Sequence, residues 1–201
     1  MRPDPKAFPI SEKGRDQLAD LITQLRQTDD KRALGIALAT MAQMVKHTGT
    51  SDGSPAFETA AKFGREAVGI LREVGDKAEL ARALRMSALP FEPIDHEALL
   101  LESVQLAREA GDRVQEGWTL YRMTRSQGVP GTTTEEALAV FEEACCLEGQ
   151  ATCLLSLGFS RNPREPKLIE QAVKIYEEVG DERQARIARM YLKAASDSST
   201  E

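Results

Sequence analysis

The sequence predicts an all-α fold, an α-solenoid of about five antiparallel helical hairpins, or about ten helices. Three observations predict it. The first is a phrase the chain nearly repeats: Arg72-Glu73-Val74-Gly75-Asp76, Arg108-Glu109-Ala110-Gly111-Asp112 and Glu177-Glu178-Val179-Gly180-Asp181. Each copy reads as a helix end, a glycine able to take positive φ, and an aspartate that opens the next helix. The first two glycines lie 36 residues apart, a period typical of helical-hairpin repeats. The second observation is alternating punctuation. Glycine turns are expected at Gly75, Gly111, Gly149 and Gly180, and proline turns between them at Pro55, Pro90 and Pro93, Pro130, and Pro163 and Pro166. A proline costs about 3 kcal/mol inside a helix, so these residues belong in connections or first turns. The third is a repeated apolar stripe. Counting back from the turn, offsets −4, −5 and −8 carry Leu71, Ile70 and Ala67 before Gly75, and Tyr176, Ile175 and Ala172 before Gly180. Before Gly111 they carry Ala107, Leu106 and, as an exception, Ser103.

Taken in order, residues 1–10 carry Pro3, Pro5 and Pro9 and are expected as an irregular extension. The repeat domain is expected over 11–195 and a disordered tail over 196–201. The first helix is placed at about 11–27, where Leu18, Leu21, Ile22 and Leu25 form one stripe, and Asp29-Asp30 stands in the place of Gly-Asp. Further helices are placed at about 31–46, 56–74, 77–88, 95–110, 113–126, 134–147, 150–159, 165–179 and 182–195. The stretch 47–54, rich in Gly, Thr and Ser, reads as the longest loop. Asp76 with Glu79, Asp112 with Gln115 and Asp181 with Gln184 have the spacing of a capping box, which accounts for these acids without metal binding or catalysis. Counted from Gly149, the next interval is only 31 residues, so the helix at 150–159 is expected to lack about one turn.

Composition bounds the function. The 201-residue chain is 41% hydrophobic, 29% charged and only 5% aromatic, which suits closely packed helices. A net charge of −6 gives no electrostatic support to general nucleic-acid binding. The first residues have no apolar core of the kind a secretory signal needs. No stretch approaches the roughly 20 apolar residues of a membrane span. Three cysteines, an odd number, suit a reducing compartment, and a cytoplasmic location is expected.

At 137–158 the sequence resembles the tetratricopeptide repeat family. Ala137, Phe141 and Ala144 match the A-x3-F-x2-A core of its second helix, and Leu154, Leu157 and Gly158 the L-x2-L-G core of its first. Leu38-Met41-Ala42, Leu84-Ser87-Ala88 and Leu120-Met123-Thr124 look like degenerate copies of the latter. Arg189, Leu192 and Lys193 occupy the last copy, as a terminal helix with a polar outer face would. The resemblance spans roughly 11–195. It implies a right-handed superhelix whose concave groove is lined by the first helix of each hairpin. The groove positions it implies are Gln43, Lys46 and His47; Arg82 and Arg85; Trp118, Tyr121 and Arg125; and Thr152, Leu155 and Phe159. Of these, Arg82, Arg85, Trp118, Tyr121, Arg125 and Phe159 are the candidate binding residues, since Trp, Tyr and Arg are enriched at hot spots. Members that clamp a free carboxylate use asparagines; Asn162 is the only one here, so that clamp is not expected.

Nothing in the sequence marks an enzyme. Cys145, Cys146 and Cys153 lack C-x2-C spacing and a nearby histidine pair, and Cys145 is expected at the core offset −4 from Gly149. The cysteines therefore read as packing residues or inert thiols, with a redox-sensitive thiol as the alternative. Of two histidines, His47 ends a helix and His96, beside Asp95, reads as part of a cap. No glycine loop follows a strand to hold phosphate. No catalytic residue, cofactor or metal is expected. The reading is a scaffold that binds another protein or peptide, with Arg82, Arg85, Arg122 and Arg125 suited to an acidic segment. The alternatives are a ligand- or signal-peptide-sensing regulatory module and a self-associating segment of a larger helical array.

Overall fold

In the computed structural model, residues 11–48, 55–88, 93–125, 133–161 and 164–197 are described. The expected extension 1–10, most of the 47–54 loop, the turns at Pro90, Pro130 and Pro163 and the end of the tail lie outside them. Ten helices run through the described residues: α1 Glu12–Leu25, α2 Lys31–Thr48, α3 Pro55–Val74, α4 Lys77–Ser87, α5 Pro93–Glu109, α6 Arg113–Thr124, α7 Thr134–Glu143, α8 Leu147–Ser160, α9 Pro166–Glu178 and α10 Glu182–Asp197. No strand occurs among them. The described residues are all-α, with helices packed in consecutive pairs.

Two compact units divide it, Met1–Asp112 and Arg113–Glu201. Within the first, each helix from α1 to α5 packs on the next, and α2 also meets α4. Within the second, each helix from α6 to α10 packs on the next, and α8 meets both α6 and α10. Among the described residues the odd helices of a unit do not meet in this way. Each unit thus has a layer of even helices in mutual contact.

The corners set the register. Gly75, Gly111 and Gly180 adopt φ of 77°, 68° and 75°, the left-handed conformation that glycine takes without steric cost. After Gly111 and Gly180, the next N–H closes back on the helix: Asp112 N donates to Ala107 O and Asp181 N to Tyr176 O, both at 2.9 Å. Asp76 and Asp181 supply the aspartate half of the expected boxes: Asp76 accepts from Glu79 N at 3.1 Å and Asp181 from Gln184 N at 2.9 Å. Asp30 does the same for Ala33 N at 3.1 Å, so Asp29-Asp30 does open α2.

The fourth corner is not at Gly149. It is at Cys145, with φ 51°, where Cys146 N donates to Phe141 O at 2.9 Å in the same closing pattern. Successive left-handed residues then stand at 75, 111, 145 and 180, intervals of 36, 34 and 35. Helix α8 is a full 14 residues, so the expected loss of a turn is overturned. Cys145 is the exposed corner residue, and the core offsets before it are Phe141, Val140 and Ala137, all buried. The physical reason for Gly149 is space: a Cβ there would lie 2.3 Å from Phe141 Cδ1, and one on Gly117 would lie 2.7 Å from Cε1. Two glycines on α8 and α6 therefore make the slot that takes the Phe141 ring.

An ion-pair pattern follows the same register. Lys31 pairs with Glu73 at 2.7 Å, Lys77 with Glu109 at 3.0 Å, and Arg113 with Glu143. Each joins the residue two after one corner to the residue two before the next. At the Cys145 corner the basic position is Leu147, which is exposed. These pairs are solvated, so each adds little to stability and marks the register instead.

Other differences from the sequence reading are local. Helix α5 starts at Pro93, so His96 lies within its first turns and is buried instead of capping. The polar exception Ser103 is buried and donates to Ala81 O at 2.8 Å, which satisfies its hydroxyl inside the core. Ser196 and Asp197 belong to α10, two residues beyond the expected end. A complete capping box is made by Thr133 and Glu136, a site the sequence reading did not single out.

A left-handed cysteine costs about 1–2 kcal/mol relative to glycine, and Cys146 makes no side-chain cap hydrogen bond. Cys145→Gly should stabilise the chain by about 1 kcal/mol, and Cys146→Asp by about as much again. Urea-unfolding midpoints test both. Unchanged midpoints would show that this corner carries no such strain.

Candidate protein-binding face

The candidate residues fall at fixed places after each corner. Seven residues on stand Arg82, Trp118 and Thr152; ten residues on stand Arg85, Tyr121 and Leu155; fourteen residues on stand Arg125 and Phe159. All lie on even helices or, for Arg125, just past the end of α6. The same count from Gly180 adds Ile187, Met190 and Ala194 on α10.

In the first unit, Arg82 is held inside the fold. Its side chain is 10% exposed and Glu79's is 8%, with Arg82 Nε donating to Glu79 Oε2 at 3.0 Å. Arg82 Nη2 also donates to Ile36 O at 3.3 Å, and both terminal nitrogens reach Thr40 Oγ1 at 3.4 Å. This guanidinium joins α4 to α2 and does not face solvent. Arg85 and Gln43 are half-buried, while Lys46 and His47 lie in α2 with side chains outside the described residues.

The second unit holds the aromatic candidates. Trp118 is half-buried, its ring edge-on to Phe141 at 4.9 Å and to Tyr121 at 6.4 Å. Phe159 is half-buried between Tyr191, edge-on at 4.5 Å, and the Arg164 guanidinium, 4.4 Å from the ring centroid. Such cation–π and edge-to-face contacts fix a ring while leaving part of its surface open. Thr152 Oγ1 donates to Glu148 O at 2.8 Å and lies 2.9 Å from the Tyr176 hydroxyl. Arg125 is exposed. The neighbouring Arg122 guanidinium is held below its ordinary pKa, first by burial and then by the Arg125 charge.

Position ten after the corner gives one row across three helices: Tyr121 and Leu155 half-buried, and Met190 exposed at 69%. The sequence reading missed Met190, Tyr191 and Arg164. Continuing the groove count into α10 would have found Met190. Arg164 gave no periodic signal, because it precedes α9 and reaches Phe159 only through the turn. What the row can do is pack against apolar side chains, with guanidinium groups at its margin.

The remaining chemistry-bearing groups are spread out. Among the described residues, no three His, Cys, Asp or Glu side chains converge as a metal site would require. Cys153 is buried in α8, and burial pushes its thiol up to about 12. No helix of the described residues is long and apolar enough to cross a membrane. Comparison with models of known protein families and with curated proteins finds no match.

Removing one partner of a buried ion pair leaves the other uncompensated. Arg82→Ala should destabilise the chain by about 3–5 kcal/mol, and Glu79→Leu/Arg82→Met should recover most of it. Urea melts of the three proteins check this; an Arg82→Ala protein as stable as the parent would return Arg82 to the surface.

Proposed function

We propose that this chain is a non-catalytic, tetratricopeptide-like scaffold that binds another protein through a peptide segment laid across its even helices. The single observation that carries the reading is the half-exposed row Tyr121, Leu155 and Met190, flanked by Trp118 and Phe159, on three helices that pack in series. Aromatic side chains on a preformed surface bind at low entropic cost, and a methionine adapts its shape to the partner. The repeat resemblance is supported at α8 and α9. A Cβ on Gly158 would lie 2.7 Å from Ile169 Cγ1 and 2.9 Å from Glu165 O, so the glycine ending the L-x2-L-G core is needed for helix contact. The exposed Arg125 and the partly exposed Arg164 favour a partner segment with apolar anchors and flanking carboxylates. A cytoplasmic setting belongs to the same proposal, on the grounds of three cysteines outside any disulfide framework.

Tyr121 and Met190 are the row members whose truncation least disturbs the core. Peptides selected from a display library by the parent should bind Tyr121→Ala/Met190→Ala at least about tenfold more weakly, with helical content unchanged. Peptides that bind both proteins equally, or no selectable peptide at all, would reject this face.

A further inference from the structure

We propose that Cys145 and Cys146 are a reversible dithiol–disulfide pair at the α7–α8 corner, closed by a hydroperoxide. The inference rests on the corner and is independent of the binding face. At the left-handed corners Gly75 and Gly180, glycine is followed by an aspartate whose side chain caps the next helix. Here two thiols replace that pair. The corner is held without either sulfur: Cys145 N donates to Glu142 O at 3.1 Å, Cys146 N to Phe141 O at 2.9 Å, Gln150 N to Cys146 O at 3.0 Å, and the Gln150 side-chain amide to Phe141 O at 3.2 Å. The Cys146 thiol makes no cap hydrogen bond. Neither sulfur is needed for the turn, and glycine and aspartate serve it better elsewhere in the same chain.

Adjacency and access supply the chemistry. Cys145 is exposed and Cys146 half-exposed, so a small oxidant reaches both. Adjacent Cα atoms are about 3.8 Å apart, closer than in relaxed disulfides, so the bond that forms is strained and easily reduced. The third thiol does not compete. Cys153 is buried, and seven residues along a helix separate it from Cys146 by about 10 Å, beyond disulfide reach.

The step balances. The Cys145 sulfur attacks the outer oxygen of the hydroperoxide, the O–O bond breaks, and the thiol proton leaves with the alcohol or water released. The resulting sulfenic acid is attacked by the Cys146 sulfur; the S–S bond forms, the S–O bond breaks, and hydroxide departs with the Cys146 proton as water. Two thiols are oxidised and one peroxide is reduced.

Intact mass spectrometry after treatment with one equivalent of hydrogen peroxide tests this. The parent and Cys153→Ala should each lose two hydrogens as monomers, and free thiols in the unfolded parent should fall from three to one. Dithiothreitol should restore the starting mass. Cys145→Gly, which installs the residue used at the other left-handed corners, should keep its fold and lose the two-hydrogen product. A product that persists in Cys145→Gly, maps to Cys153, or forms only between chains would overturn the assignment, as would stepwise oxygen addition in its place.

Discussion

Everything in this fold depends on one backbone constraint, a residue in the left-handed region between two helices, followed by the start of the next helix. A right-handed helix cannot continue through positive φ, so the chain must turn there. The N–H groups after the turn close back on the finished helix, and a short polar side chain caps the new one. Because the corner recurs at intervals of 36, 34 and 35 residues, most other relationships recur with it, the ion pair at Leu147 being the exception. Core residues fall four and eight before it, ion pairs two either side, and the face residues seven, ten and fourteen after it.

Helix contact then follows from matched sizes across that register. Six residues after a corner a small residue stands on an even helix, and four before the next corner stands the side chain it admits. A Cβ on Gly35 would lie 2.7 Å from Leu71 Cγ, just as one on Gly117 meets Phe141. Ala151 shares a buried cluster with Tyr176 in the same relation. Where the odd helix offers only Ala107, the buried Ser103 adds a hydrogen bond to Ala81 O. The packing is specified by alternation of small and large, not by hydrophobicity alone.

Most of the fold was legible because its signals are local. Glycine before aspartate, proline at α3, α5 and α9 starts, and leucine stripes each report a backbone state directly. The Cys145 corner was not legible, because positive φ is uncommon for any residue with a Cβ and a glycine stood four positions on. The glycine's purpose was tertiary: it admits a ring from α7, which no local pattern reports. The ion pairs carried the missing register, since Glu143 stands two before Cys145 as Glu73 and Glu109 stand before their glycines. Arg82 was misread for a related reason. An arginine on a helix face looks solvated until Thr40 and Ile36, more than 40 positions away, come to meet it.

That distinction between arginines bears on the proposed binding face. Arg82 spends its donors on Glu79, Thr40 and Ile36 O, so it stiffens α2 against α4 and has no fork left for a carboxylate. In the second unit the position equivalent to Arg82 is Trp118, an apolar ring packed on Phe141. The same register site is therefore an internal strut in one unit and a partly open aromatic in the other. A repeat fold permits this because neighbouring hairpins fix the backbone of each site, leaving its side chain free to vary. Recognition is accordingly expected where the strut is absent: on α6, α8 and α10, with Tyr121, Leu155 and Met190 as the contact row and the exposed Arg125 at its edge.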